Sequence, residues 1–316
     1  MFERDIPIYV ITGFLESGKT TFLNNTIHQD YFRIKGRTLL ICCETGEMEY
    51  DPADLKRLNT AVEMITKAED FNADTLKMLD KKHKPERVLV EYNPFWGLEK
   101  MYSVKLPRYW DWAQHIVIAD ASCFQAYMQT LMPVISDMLP NADLVVFNRA
   151  NTEQPLANFR RSVKVVNGGA QVIFEGEDGD QINIFEDKMP FDIDADVIDI
   201  DDVDFGIWYV DVMDNFDRYI GKKVHFKGQV LKSRKLDADF FVPGRKAMTC
   251  CADDIQFIGY VCQTGKAPGL KEGEWVEVTG TVRSEMCQAY KEEGPVIHVE
   301  KLVKTTAPDD EMVYFT

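Results

Sequence analysis

Residues 13–21 read "GFLESGKTT", one residue (Thr12) after the apolar run "IPIYVI" at 6–11 and directly before "FLNNTIHQ" at 22–29. Gly13 and Gly18-Lys19-Thr20 satisfy the spacing G-x-x-x-x-G-K-[ST]. Chemistry asks for these residue types at this spacing. Glycines let a backbone wrap closely around phosphates, so that its N–H groups and the N-terminus of the following helix face the anion. The lysine neutralises charge on the outer phosphates, and the hydroxyl of Thr20 is suited to Mg²⁺. A glycine-bearing turn with a surface lysine is the bland alternative, but it does not require a strand before the loop and a helix after it. The expected phosphate cradle is Gly13, Glu16, Ser17, Gly18, Lys19, Thr20 and Thr21.

Outward from this loop, short apolar runs alternate with amphipathic stretches, the pattern of a mostly parallel sheet flanked by helices. Strands are expected at 6–12, 38–42, 87–91, 116–120, 144–148 and 171–174, with helices at 20–29, 73–83 (Asn72 as N-cap) and 122–138. Glu91 and Asp120 then stand at C-terminal strand ends, and Glu44 just beyond one, where open α/β sheets hold their ligands. Solvation or helix capping is the alternative for each. The fold class is α/β, a P-loop nucleotide-binding architecture, joined to a second, all-β part.

The join is marked by charge. Residues 175–204 read "EGEDGDQINIFEDKMPFDIDADVIDIDDVD", with Lys188 their only basic side chain. Composition reads this as a solvated linker, with a metal-attracting tail as the rival, and its Ile, Phe and Val indicate that part of it packs. Strand signals follow at 222–233, 246–253, 258–264, 274–284 and 295–305, and a small OB-like barrel is the natural way to hide their edges. The expected divisions are 1–175, a linker at 176–204, and 205–316.

The whole chain has 316 residues, 45% of them hydrophobic, and a formal net charge of −16. That charge disfavours nucleic acid, whose binding relies on clustered Lys and Arg. The N-terminal "MFERDIPIYV" shows no basic region followed by a long apolar stretch, and no run approaches a membrane span, so a cytoplasmic location is expected. Seven cysteines, four of them in the adjacent pairs Cys42-Cys43 and Cys250-Cys251, do not form the even framework of a small secreted domain and read as reduced thiols.

Several segments carry a more specific resemblance. "GFLESGKTTFLN", "LLICCETGEMEYD" (39–51), "ERVLVEYNP" (86–94), "HIVIADAS" (115–122) and "NADLVVFNRAN" (141–151) resemble, in order, the motifs of CobW-type GTPases, which belong with UreG and HypB. The resemblance implies binding of GTP (or ATP) with Mg²⁺. It implies Lys19, Glu44 and Glu91 as the catalytic set, with Glu47 and Asp51 also in the first switch. Thr20, Glu91 and Asp120 would be near Mg²⁺, directly or through water, and Asn148, Arg149 and Asn151 at the base. Metal trafficking is the implied process, with a metal-receiving client protein and a homo-oligomer among the implied assemblies.

Three departures carry chemical consequences. The family's N-K-x-D appears as Asn148-Arg149-Ala150-Asn151, so the carboxylate that accepts from guanine is replaced by an amide with one acceptor and one donor group. The family's E-x-x-G appears as Glu91-Tyr92-Asn93-Pro94, and proline has no N–H to offer a terminal phosphate. Sensing would pass to Asn93 or Gly97. The C-x-C-C motif of the metallochaperone branch is missing, since residues 52–86 contain no cysteine. Cys42 and Cys43 remain, and strand alternation sends them to opposite faces.

"YIGKKVHFKGQV" (219–230), "FVPGRKAMTCCADDIQFIGYVC" (241–262), "LKEGEWVEVTGTV" (270–282) and the closing "VYFT" are similar to the C-terminal domain of YcgQ-type proteins. That resemblance implies a membrane-permease partner. Read from the residues alone, Cys42, Cys43, Cys250, Cys251 and Cys262 are soft-metal candidates for Zn²⁺, with Cys287, Asp253, Asp254 and His298 nearby in the strand pattern, and core packing as the alternative. Arg245 reads as a structural ion-pair partner or an anion contact. The leading functional reading is nucleoside triphosphate binding with slow hydrolysis driving a conformational switch. The alternatives are an ATP-using P-loop enzyme and a non-catalytic nucleotide-sensing adaptor of a permease.

Overall fold

Seven parallel strands in the order β3-β2-β4-β1-β5-β6-β7 carry the loop. The computed structural model describes residues 5–46, 50–182, 189–233, 236–248 and 255–314, and the chain divides into compact units at 1–184 and 185–316. The first-unit strands are β1 (Ile6–Thr12), β2 (Thr38–Cys42), β3 (Thr60–Met64), β4 (Arg87–Glu91), β5 (Trp110–Asp120), β6 (Leu144–Asn148) and β7 (Gln171–Phe174). Every residue of β2 and β4 is buried, as expected for inner strands of a sheet covered on both faces. Its helices are α1 (Lys19–His28), α2 (Pro52–Arg57), α3 (Ala73–His83), α4 (Leu98–Ser103), α5 (Phe124–Thr130), α6 (Met132–Met138) and α7 (Leu156–Val166).

The order decides where a ligand can sit. From β1 the chain moves out to β2 and β3, returns to β4 beside β1, then crosses to β5 on β1's other side. The crevice at that reversal is bounded by the ends of β1, β4, β5 and β6, namely Thr12, Glu91, Asp120 and Asn148. Helix α1 leaves it and buries Lys19, Leu23 and Ile27 at a four-residue spacing, and the two apolar members join the core around Ile11, Leu40 and Leu89.

Six of the seven strands fall where the sequence places them, β5 starting earlier than expected. β3 is the exception, because its "TAVEM" sits at the sheet edge and is only partly buried. The single helix expected over 122–138 is instead α5 and α6, separated at Leu131. Pro133 lies in the first turn of α6, where its missing N–H costs no helical bond.

The second unit contains β8 (Ile198–Asp199), α8 (Phe205–Asp214), β9 (Lys223–Leu231), β10 (Phe240–Met248), β11 (Ile255–Gly259), β12 (Val261–Gln263), β13 (Trp275–Cys287), β14 (Glu292–Lys304) and β15 (Met312–Tyr314). Pairings β9–β10, β10–β12, β12–β14, β14–β13 and β13–β9 close a five-membered ring, so the strands of this unit hide their edges in a closed five-stranded barrel. Strict burial alternation along β9 sends Val224, Phe226 and Val230 inward. Close packing requires glycine at 244, where a Cβ would lie 2.2 Å from the Ile258 carbonyl oxygen. Helix α8, which strand-directed reading overlooks, packs Phe205 and Trp208 against Phe226.

Within the acidic stretch, residues 189–204 belong to the second unit. Phe191, Ile198 and Ile200 are buried, and β8 pairs with β9. Arg245, 1% exposed, holds this segment and the C-terminal strand together. It pairs with Asp202 at 3.0 Å and donates to the Asp310 carbonyl at 2.6 Å, with the rings of Phe205 and Trp275 alongside. Of the two readings for Arg245, the structural ion-pair partner is the one the contacts describe.

Candidate functional site

At the C-terminal end of β1 the backbone adopts a form that only glycine takes easily. Gly13 and Gly18 have φ of +145° and +98°. A Cβ on Gly13 would lie 2.2 Å from the Ile118 carbonyl oxygen, and one on Gly18 would lie 2.5 Å from Asn148 Nδ2. Lys19 begins α1 and is 3% exposed. Its ammonium donates to the carbonyls of Gly13 at 2.9 Å and Phe14 at 2.7 Å, and pairs with Glu44. Burial outweighs this ammonium and holds the Glu44 carboxyl above the ordinary carboxylate range.

Beside Lys19, Thr20 Oγ1 donates to Glu91 Oε1 at 2.8 Å, and the Tyr50 hydroxyl donates to Glu91 Oε2, also at 2.8 Å. Glu91 is thus fixed at both oxygens and is 5% exposed. Ser17, Lys19, Thr20, Glu44, Glu91 and Asp120 line one cavity of about 380 Å³. A second cavity of about 810 Å³ shares Thr20, Glu44 and Glu91 and continues past Cys42, Tyr50 and Leu55. Tyr50 carries no motif and is not singled out by sequence reasoning. Its place two residues before the N-terminus of α2, where Asp51 caps the helix by accepting from Ala53 N–H, is the only local signal.

On the other flank, Asn148 Nδ2 donates to the Ser17 carbonyl at 2.7 Å, which ties the end of β6 to the loop. Arg149, at φ +51°, pairs with Asp120 and reaches the Glu16 carbonyl. The other Asp120 oxygen accepts from Ser122 N–H and Oγ. Asn151 is engaged locally, its Oδ1 accepting from Glu153 N–H and its N–H donating to Gln154. Asn93 Oδ1 accepts from Phe95 N–H, capping the turn that begins at Pro94.

The donor set separates two kinds of metal. The hydroxyl of Thr20 and the carboxylate of Glu91 are adjacent hard oxygens, which fits Mg²⁺. Among the described residues, no three His, Cys, Asp or Glu side chains come together as ligands for a metal ion. Cys42 and Cys43 are buried, and burial pushes both thiols up, the carboxylates of Glu91 and Glu44 adding to it. Cys262, in the second unit, is raised by burial alone. In this structure Cys42, Cys43 and Cys262 pack as core groups, the alternative that their burial describes. Cys250, Cys251, Asp253 and Asp254 lie outside the described residues, as does Glu47; Cys287 is buried, and His298 pairs with Glu285.

Beneath the loop, His115 of β5 is 3% exposed, and its Nε2 lies 2.8 Å from the hydroxyl of Thr12. Burial lowers its pKa from 6.5 to about 4, against the opposing effects of the Asn141 backbone and of Asp143 and Asp137. The sequence offers no ligand spacing around this histidine. Its neighbours in an apolar strand are the signal that it is a core group.

Residues 7–174 match the family described as CobW/HypB/UreG, nucleotide-binding domain, and residues 180–315 match the DUF1980 C-terminal domain. The UPF0703 protein YcgQ of Bacillus subtilis (strain 168) is 27% identical over 96 residues, 30% of this chain and 34% of that protein. The matching region thus spans about a third of that relative's length. Among solved structures, the hydrogenase maturation factor HypB from Archaeoglobus fulgidus is 16% identical, covering 57% of this chain and 85% of that chain with a TM-score of 0.42. The Zn(II)-bound YjiA GTPase from E. coli is 17% identical, covering 57% and 60% with a TM-score of 0.41. Among the described residues no helix is long and apolar enough to cross a membrane.

Proposed function

Since the chain belongs to the CobW/HypB/UreG family through its nucleotide-binding domain, we propose that it binds GTP with Mg²⁺ and hydrolyses it slowly, as a conformational switch in metal trafficking in the cytoplasm. The observation that carries this reading is the meeting of the Lys19 ammonium and the Thr20–Glu91 pair in one cavity on a loop of glycine geometry. On binding, Lys19 exchanges Glu44 and two carbonyls for phosphate oxygens. Backbone N–H groups at the start of α1 meet the same charge. Thr20 and Glu91 would hold Mg²⁺, which when bound neutralises charge on the phosphates. Pro94 offers no N–H to a terminal phosphate, which supports slow turnover. The metal trafficked is cargo for a client protein, a reading that rests on the family and not on a ligand set in the described residues.

The test is calorimetric titration of the full chain with GTP and ATP, with and without Mg²⁺, for the wild type and Lys19→Ala. Mg²⁺-dependent binding that the variant loses is expected. Absence of binding, or equal binding by the variant, sinks the proposal. A guanine-over-adenine preference of more than about tenfold, or 1.4 kcal/mol, would count against the ATP-using reading. Pro94 also supports a second reading, a non-catalytic nucleotide-sensing adaptor of a permease, against which robust multiple-turnover hydrolysis by the isolated protein would count.

A further inference from the structure

The phosphate chemistry leaves unexplained a cavity of the first unit that adjoins the loop. It measures about 460 Å³, starts at Gly18 and Thr21, and is walled by Asn148, Arg149 and the turn that follows β7. A ligand held there is continuous with phosphates held on the loop, because Gly18 and Thr21 line both this cavity and the phosphate cavity. It is the place for a nucleoside.

Asn151 is the base reader that motif position suggests, yet it is not among the described residues lining this cavity. Its side-chain carbonyl accepts from Glu153 N–H at 2.9 Å, and its own N–H donates to Gln154 Oε1 at 2.9 Å. Glu175 does line the cavity. Its backbone is pinned there from both sides, its N–H donating to the Phe147 carbonyl at 2.8 Å and its carbonyl accepting from Ala150 N–H at 2.9 Å. Its carboxyl is half-buried and makes no hydrogen bond or ion pair among the described residues. Burial alone raises its pKa, the mark of a carboxyl that has lost water and gained no partner. The position obeys the rule that ligands meet the C-terminal ends of strands, here the end of β7.

A carboxylate is acceptor-only and presents two oxygens. Guanine has two adjacent donors, N1–H and the 2-amino group. Hypoxanthine keeps only N1–H, xanthine replaces the amino group by a carbonyl, and adenine sets its amino group beside an acceptor. We propose that Glu175, and not Asn151, reads the base, its carboxylate accepting from N1–H and the 2-amino group of guanine. The assignment rests on the nucleotide-binding reading above.

The experiment titrates the full chain with Mg²⁺ and GTP, ITP, XTP or ATP, and with inorganic tripolyphosphate as a probe of the loop alone. Wild type, Glu175→Gln, Asn151→Ala and Lys19→Ala are compared. The wild type should prefer GTP over ITP by about tenfold or more, since one charge-assisted hydrogen bond is at stake. Glu175→Gln should shrink that ratio to within about threefold and bind XTP better than GTP, because an amide pairs with both N1–H and a 2-carbonyl. Asn151→Ala should leave the ratio unchanged. Tripolyphosphate binding that is equal in wild type and Glu175→Gln shows that the variant is folded. An unchanged GTP:ITP ratio in Glu175→Gln, or a ratio that collapses in Asn151→Ala, overturns the assignment while leaving triphosphate binding intact. Failure of every nucleotide and of tripolyphosphate to bind, or equal binding by Lys19→Ala, overturns the underlying reading and the assignment with it.

Discussion

Acid should loosen the first unit through His115. In the unfolded chain this imidazole titrates near 6.5, and burial lowers it to about 4 in the folded protein. Below pH 6.5 the unfolded state therefore binds a proton that the folded state refuses. Stability contributed by the neutral ring is present above that pH and is lost progressively as pH falls toward 4. Each tenfold difference in proton affinity between the two states corresponds to about 1.4 kcal/mol, so the complete loss is about 3 kcal/mol, of which about 2 kcal/mol falls between pH 7 and pH 5. Glu44 works in the opposite sense, because its raised carboxyl takes up protons more readily when folded. The comparison that isolates the histidine is wild type against His115→Gln, which keeps an acceptor for Thr12 but does not titrate. Amide hydrogen exchange in β1 and β5, corrected for intrinsic rates at pH 7, 6 and 5, reads the local opening free energy. The wild type should lose about 2 kcal/mol more than the variant over that range. Equal losses in the two proteins would refute the assignment of the acid sensitivity to His115.

Gly18→Ala should destabilise the first unit by about 2–3 kcal/mol, combining left-handed backbone strain with displacement of the Asn148–Ser17 bond. Adding Asn148→Ala should recover only the clash, and urea unfolding that shows no loss in the single variant would contradict the geometry. Arg245→Met should cost the second unit about 2 kcal/mol, because the Asp310 carbonyl loses its donor while the half-exposed Asp202 can turn to water. Hydrogen exchange across β10 and β15 measures it, and unchanged protection there would argue against the clamp. Glu44→Gln should tighten binding of a nucleoside triphosphate by about tenfold, since it removes a competitor for Lys19 worth one charge-assisted hydrogen bond, and should slow turnover; weaker binding would mean that Glu44 supports the bound state instead.

The framework was legible because its signals are local. Apolar runs of three to six residues define β1, β2, β4, β6 and β7, and Asn72 announces α3 by accepting from Asp74 and Thr75 N–H. The loop's glycines announce the close approaches found at Ile118 and Asn148. What was hidden depends on distant partners. β3 is defined by pairing with β2, and its half-polar sequence has no period of its own. Tyr50 matters only because the fold brings its hydroxyl to Glu91, 41 residues away. Glu175 could have been found, since it follows a correctly placed strand and the strand-end rule that marks Glu91 and Asp120 applies equally to it. The charge of its surroundings disguised it as part of a linker.

The two flanks of α1 differ in how far they are already committed. On the Glu91 side, Thr20 and Tyr50 occupy both carboxylate oxygens, and Glu44 occupies Lys19. Each group that would meet phosphate or Mg²⁺ has a partner to exchange. Net affinity there is a difference between buried interactions of similar kind, and it depends on a ligand with several negative charges replacing one. On the Asn148 side, the backbone is fixed by Ser17, Phe147 and Ala150 while the Glu175 carboxyl has nothing to exchange. A hydrogen bond formed to an unpartnered, half-desolvated carboxyl displaces no protein contact, so a larger share of its energy appears as affinity. Discrimination among bases should therefore be sensitive to single atoms, while discrimination among phosphate chains should follow charge.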